Sequence, residues 1–239
     1  EHATADGRVV GVLGGAGGAG ATTFAAALGQ VAARSGGTLV VDADPLGPGV
    51  DRVLGLEQVD GVGWEQLAGS HGRLAARDLR EGVPRRGHLG VLTWRRAAVP
   101  RLPEADQVGE VLAAARRGHE VVVVDLPRLG SARDQLAAHC DLLVVVVPAT
   151  VAGVASTVRA VAGLDDPCRA GLVLRGRSAD EHAAHRATGL PVLAAMVSQR
   201  GMDEAVDLGM GPVRSFRGPL GRAAGTVLDR LRLQGRVAA

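Results

Sequence analysis

Between Val10 and Thr23 the chain reads Val-Gly-Val-Leu-Gly-Gly-Ala-Gly-Gly-Ala-Gly-Ala-Thr-Thr, with six glycines among residues 11–20. Glycine lets a backbone fold tightly enough for successive N–H groups to point into one hollow, and a helix starting at the end of the loop adds partial positive charge. The run is therefore an anion cradle. Two chemistries fit it. Read as G-x-x-x-x-G-K-[ST], it spans Gly15 to Gly20, puts Ala21 where lysine belongs and then Thr22; read as G-x-G-x-x-G, it matches at Gly15, Gly17 and Gly20. The candidate phosphate-binding residues are Gly15, Gly17, Gly18, Ala19, Gly20, Ala21, Thr22 and Thr23. A tight turn without a ligand is the bland alternative, since glycine patterns are weak signals in an Ala/Gly-rich chain.

Carboxylates elsewhere separate these readings. A dinucleotide fold needs one acid after its second strand, and Asp42 stands near the expected distance. The sequence, however, has Asp42-Ala-Asp44-Pro45 there and a second strand-terminal acid in Val121-Val-Val-Val-Asp125-Leu-Pro127. Acids at two strand ends beside a phosphate loop, with the Thr22 hydroxyl, form the hard oxygen set that Mg²⁺ takes. This favours a nucleoside triphosphate over NAD(P), and each Asp could alternatively cap the turn after its strand.

These residues need strands to carry them and helices to cover the strands. Apolar runs at Val9–Leu13, Thr38–Val41, Leu89–Thr93, Val121–Val124, Leu142–Val147, Leu172–Leu174 and Val192–Ala195 are nearly continuous rather than alternating, as in strands buried on both faces. Helical stretches are expected around 22–34, 104–117, 132–139, 152–163, 179–187 and 219–233. Strand and helix in alternation define a doubly wound α/β class with a mostly parallel sheet, whose ligands sit at the carboxyl ends of the strands. Residues 46–87, rich in Gly and Arg, read as loops and short helices. Residues 1–239 are taken as a single domain, and the initial Glu1 suggests a fragment or processed form that lacks an N-terminal domain.

The glycine loop, the D-x-D-P after the second strand, Asp125-Leu-Pro127 and Asp141-Leu-Leu-Val-Val-Val-Val-Pro148 together resemble the MinD/ParA class of deviant-Walker P-loop ATPases. The details most resemble its TadZ/CpaE-like pilus-localising branch and the related actinobacterial septum-site-determining proteins. The resemblance runs from about Val9 to the end. It implies ATP or ADP with Mg²⁺ as cofactor, Thr22 on the metal, Asp42 and Asp125 in its outer shell, and Asp44 positioning the attacking water. It also implies a homodimer with secretion, pilus or division partners. Two family lysines fall on Ala16 and Ala21, and Arg175 follows Leu174 where the family often has an Asn for the base. With the lysines gone, the expected role is a spatial organiser or scaffold rather than an enzyme. The rival is an ATPase, weak if active, in which an Arg such as Arg128 replaces the lost charge, and an NAD(P)-binding enzyme is a minor alternative.

Composition bears on the same question. All 27 basic residues are Arg and none is Lys, net charge is +2, and there are two Phe, two Trp and no Tyr, so no aromatic platform for stacking bases is on offer. Specific nucleic-acid binding is disfavoured, and the Arg pairs at 85–86, 95–96 and 116–117 read first as a solvated face. Cys140 and Cys168 lack metal or redox spacing, which suits a reduced cytoplasmic chain, and no run is long enough to span a membrane. His182 and His185 have no further ligand in reach of the pattern. From Val213 to Ala239 there are six Arg against one Asp, with Leu220, Ala224, Val227, Leu228 and Leu231 on one helical face. That helix either docks on the sheet or rests peripherally on an anionic membrane.

Overall fold

The computed structural model describes residues 6–68, 72–95, 102–177 and 180–237, the side chains of 234–237 excepted. Its strands are β1 (Arg8–Gly14), β2 (Thr38–Asp42), β3 (Arg85–Arg86), β4 (Leu89–Leu92), β5 (Val121–Asp125), β6 (Leu142–Pro148), β7 (Ala170–Arg175) and β8 (Val192–Met196). The helices are α1 (Ala21–Ala32), α2 (Val50–Leu54), α3 (Trp64–Ala68), α4 (Ala76–Gly82), α5 (Ala105–Gly118), α6 (Ser131–Ala137), α7 (Val151–Ala162), α8 (Glu181–Thr188), α9 (Met202–Asp207) and α10 (Pro219–Val237).

The strands form one sheet in the order β3-β4-β2-β5-β1-β6-β7-β8, parallel except where β3 pairs antiparallel with β4. Successive residues of each strand point to opposite faces, so a continuous Val run feeds two cores at once. Val9, Leu13, Val122, Val124, Val145 and Val147 pack with Trp64, Leu112 and Leu136 on one side. Val10, Val12, Val123, Val144 and Val146 pack with Phe24, Leu28, Val227 and Leu228 on the other. The seven expected strands and six longer helices are all present, and 46–87 holds short helices with the two-residue β3.

Strand order places the site. β5 lies between β1 and β2, so the acid at the end of β2 is one strand removed from the glycine loop, and the acid at the end of β5 stands between them. In a dinucleotide-binding sheet the second strand adjoins the first. That adjacency is missing here, and with it the arrangement that the NAD(P) reading requires.

Several of the arginines expected as a solvated face also tie elements together, Arg86 while exposed. Arg86 donates to the carbonyls of Leu54, Gly55 and Gly209, Arg95 to those of Glu57 and Val59, and Arg116 to both oxygens of Asp141 at 2.5 and 2.7 Å. Arg96 lies outside the described residues. In α10, Leu220, Ala224, Val227, Leu228 and Leu231 are buried against α1, β8 and β1, whereas Arg222, Arg230 and Arg232 face solvent. The docking alternative is the one observed.

Candidate functional site: a glycine cradle between two carboxylates and an arginine

β1 ends at Gly14, and the loop is held from both sides. The Gly15 N–H donates to the Val146 carbonyl of β6 at 2.9 Å, and the Ala19 N–H closes a turn on the Ala16 carbonyl at 3.3 Å. Gly15 is required by packing, because a Cβ there would lie 2.1 Å from Thr157 Oγ1 of α7. Gly18 and Gly20 have φ of 67° and 90°, the left-handed region that side chains avoid. A Cβ on Gly17 or Gly18 would meet nothing within 4 Å, so the crest of the loop is open.

The loop delivers α1 with its first turn bare. Gly20 is the N-cap and offers no side-chain hydrogen bond, in contrast to α7 and α8, capped by Thr150 and Asp180. Uncapped N–H groups at a helix start are an anion site. Thr22 and Thr23 are half-buried in that turn.

The carboxylates differ from each other. Asp42 and Asp125 are register partners on adjacent strands, each 1% exposed. Asp42 is fully committed: Oδ1 accepts from Asp44 N at 3.3 Å, and Oδ2 accepts from Val50 N at 3.0 Å and Thr93 Oγ1 at 2.9 Å. Its backbone carbonyl takes Trp64 Nε1 at 2.7 Å. Burial pushes its pKa up to about 6 from 3.8, against the pull of those hydrogen bonds. Asp125 is held well above the ordinary range by burial and then by the nearby Asp42 charge, with a hydrogen bond from Thr22 opposing. Its Oδ2 is buried without a partner. A buried carboxylate oxygen left orphaned beside a threonine hydroxyl is what a hydrated divalent cation would complete. Asp44 is half-buried and accepts from Leu46 N at 3.1 Å, capping the turn after β2.

The cation side departs from the P-loop pattern. Ala16 and Ala21 supply no charge, and Arg128, proposed from the sequence as a substitute, is exposed. The guanidinium that touches the loop belongs to Arg175, at the end of β7: its Nη2 donates to the Gly18 carbonyl at 3.1 Å. A Cβ on Gly20 would lie 2.9 Å from Nη1 of the same residue. Arg175 was visible in the sequence only as the occupant of a position expected to serve the base; nothing in composition or spacing said that it reaches back across β6 to the loop. Beside it, Phe24, Met196, Gln199, Met202 and Leu220 line a cleft that opens onto Gly20 and Thr23.

The remaining sequence candidates are structural. Burial pushes the Cys140 thiol up to about 12, and it donates to the Leu136 carbonyl at 3.4 Å. His185 Nδ1 pairs with the Leu190 carbonyl at 2.9 Å. Among the described residues no cluster of three or more His, Cys, Asp or Glu could hold a metal by itself. No helix among them is long and apolar enough to cross a membrane.

No known family profile matches the chain. Among solved structures it is similar over 94% of its length to a ParA family ATPase from Chlorobium tepidum, covering 98% of that chain, with a TM-score of 0.77 at 16% identity. It is similar over 94% to a chain of the MinC:MinD cell division protein complex of Aquifex aeolicus, covering 96% of that chain, with a TM-score of 0.73 at 18% identity. It is similar over 97% to the septum site-determining protein MinD complexed with Mg-ADP from Pyrococcus horikoshii, covering 98% of that chain, with a TM-score of 0.70 at 18% identity. The fold is therefore the mostly parallel, helix-flanked P-loop NTPase fold of MinD and ParA. In sequence the chain is 38% identical over 231 residues to two uncharacterized proteins of Mycobacterium tuberculosis, one in each of two strains. The match covers 94% of this chain and 64% of the length of those relatives.

Proposed function

We propose that the chain is a degenerate MinD/ParA-like protein that holds a magnesium nucleotide weakly and works as a spatial organiser, not as an efficient ATPase. One observation carries this reading: the loop, the bare start of α1 and the Thr22–Asp125 pair stand intact beside alanines at both lysine positions. Backbone N–H groups from Gly17 to Thr23 would take phosphate oxygens. Thr22 would hold the cation, Asp125 would order its water shell, and Asp42 would fix the end of β2 next to it. Phosphoryl transfer also needs positive charge placed against the developing negative oxygens. Asp44 would position water only if that charge were supplied.

Organising requires contacts as well as a ligand. Leu46, Leu129 and Val151, which are 93%, 60% and 91% exposed, follow the carboxyl ends of β2, β5 and β6 on the edge that carries the loop. Apolar side chains so exposed suit a second copy or a partner protein. Homodimerisation and division or pilus-assembly partners, of the TadZ/CpaE-like or septum-site type, belong to this proposal. The solved MinC:MinD complex supports it by analogy of fold. Peripheral contact with an anionic membrane would fall to Arg222, Arg230 and Arg232, since the apolar face of α10 is packed.

The test is a titration of ADP and ATP, with and without Mg²⁺, beside a measurement of self-association. Binding that Mg²⁺ strengthens, together with nucleotide-dependent self-association or co-purification of a division or pilus protein, is expected. No nucleotide binding, no self-association and no such partner would overturn the reading.

A further inference from the structure

Like many of the described arginines, Arg175 has no carboxylate partner; what sets it apart is its contact with the glycine loop. Arg116 is paired with Asp141, Arg133 with Asp134 and Arg117 with Glu110, whereas no carboxylate pairs with Arg175 among the described residues. Its guanidinium donates to the Gly18 carbonyl, at the open crest of the cradle. A guanidinium has five N–H donors in a planar fork, stays charged at every relevant pH, and binds phosphate oxygens through two parallel bonds. One carbonyl leaves most of that capacity unused. The residue is half-buried at the end of β7, in register with Pro148 of β6, and so it approaches the loop from the side away from Asp42 and Asp125.

We propose that Arg175 is the cation of this cradle: its guanidinium binds the phosphates of the nucleotide in cis and takes over the binding role of the lysine missing at Ala21. The inference rests on the nucleotide reading above and assigns the residue that makes it work. With Arg175 on one flank and Thr22 and Asp125 on the other, the phosphates lie between a fixed positive charge and the metal. The side chain comes from a strand end two strands away from β1, not from the helix start, so it supports binding and not the transferred group. Gly20 belongs to the same device, because a methyl at φ 90° would press on Nη1 of Arg175.

The experiment is a titration of a fluorescent ADP analogue into wild type, Arg175→Ala, Arg175→Gln, Arg175→Lys and Arg128→Ala, each in Mg²⁺ and in EDTA, with thermal melting alongside. Losing a charge-assisted contact should weaken binding about 10- to 100-fold in Arg175→Ala and Arg175→Gln, in both buffers. Arg175→Lys, which keeps the charge but loses the two-bond fork, should fall between wild type and Arg175→Gln, and Arg128→Ala should match wild type. The Gln variant is the discriminating one, since it can still donate to the Gly18 carbonyl but carries no charge. Gln binding as tightly as wild type, with unchanged melting, would make Arg175 a tie for the loop and overturn the inference alone. Equal weakening in Arg128→Ala would overturn it as well. Wild type that binds no nucleotide in either buffer would overturn both this inference and the reading on which it rests.

Discussion

The two flanks of the glycine loop were built to different standards. On the β2–β5 side every expected group is present and immobilised: Asp42 is held by Val50, Thr93 and Asp44, and Asp125 is buried beside Thr22. In the loop and at the start of α1 both positions that should carry lysine are alanine, and on the β6–β7 side a single arginine rests on a carbonyl. On the proposed reading, an intact carboxylate flank with a depleted cation flank separates holding a nucleotide from cleaving it. Ground-state binding can be met by backbone N–H groups and one guanidinium, whereas transition-state charge needs donors placed against the transferred group.

The largest effect should come from the floor that both flanks share. Gly15→Ala would drive a methyl into Thr157, whose Oγ1, Cβ and Cγ2 lie 2.1, 2.9 and 3.0 Å from the new atom. Thr157 is fully buried and bonded to the Gly153 carbonyl at 2.8 Å, so it cannot swing away. Overpacking of this kind should destabilise the protein by about 3 kcal/mol. Denaturant melts showing less than about 1 kcal/mol would mean that the loop floor is soft.

Next comes the burden of the carboxylate flank. Asp42 is raised to about 6 from 3.8 by burial, so between those pH values the folded state binds more protons than the unfolded one. Stability should therefore fall as pH rises through that window, by about 3 kcal/mol from Asp42 at roughly 1.4 kcal/mol per pH unit, and Asp125 should extend the fall upward. Denaturation without nucleotide from pH 4 to 7 checks this, and Asp42→Asn should flatten the slope. Stability that rises over the same range in wild type would contradict the assigned burial.

A smaller effect separates the flanks directly. Asp125→Asn should lower Mg²⁺-dependent nucleotide affinity about 10- to 100-fold and leave binding in EDTA unchanged, as expected when an outer-shell partner of a metal is removed. Loss of binding in both buffers would place Asp125 in the cradle itself.

How much of this was legible in the sequence follows the same division. The strands were readable because Val and Leu runs buried on both faces have a composition that few other environments produce, and the loop because glycine has few substitutes at positive φ. Asp42 and Asp125 were found together by their place at strand ends, but the sequence treated them alike. Only packing shows that Asp42 is saturated by Val50 and Thr93, residues eight and fifty-one positions away, while Asp125 keeps an orphaned oxygen. Arg175 was missed for a related reason: a contact across 157 residues depends on strand order, and strand order is not written in local pattern. The short α9 went unread because six residues carry too little periodicity.

If this site binds nucleotide without turning it over, phosphate release from ATP and Mg²⁺ will show it. Wild type, Ala21→Lys and the Ala16→Lys/Ala21→Lys pair should be compared at matched protein concentration. Each missing donor typically costs about 10²–10³ in rate, so wild type should match a buffer blank, and Ala21→Lys should bind nucleotide more tightly with little gain in turnover while Ala16 remains. Robust wild-type hydrolysis that neither substitution improves would show that the loop already has its catalytic charge and that the protein is an ATPase, not an organiser.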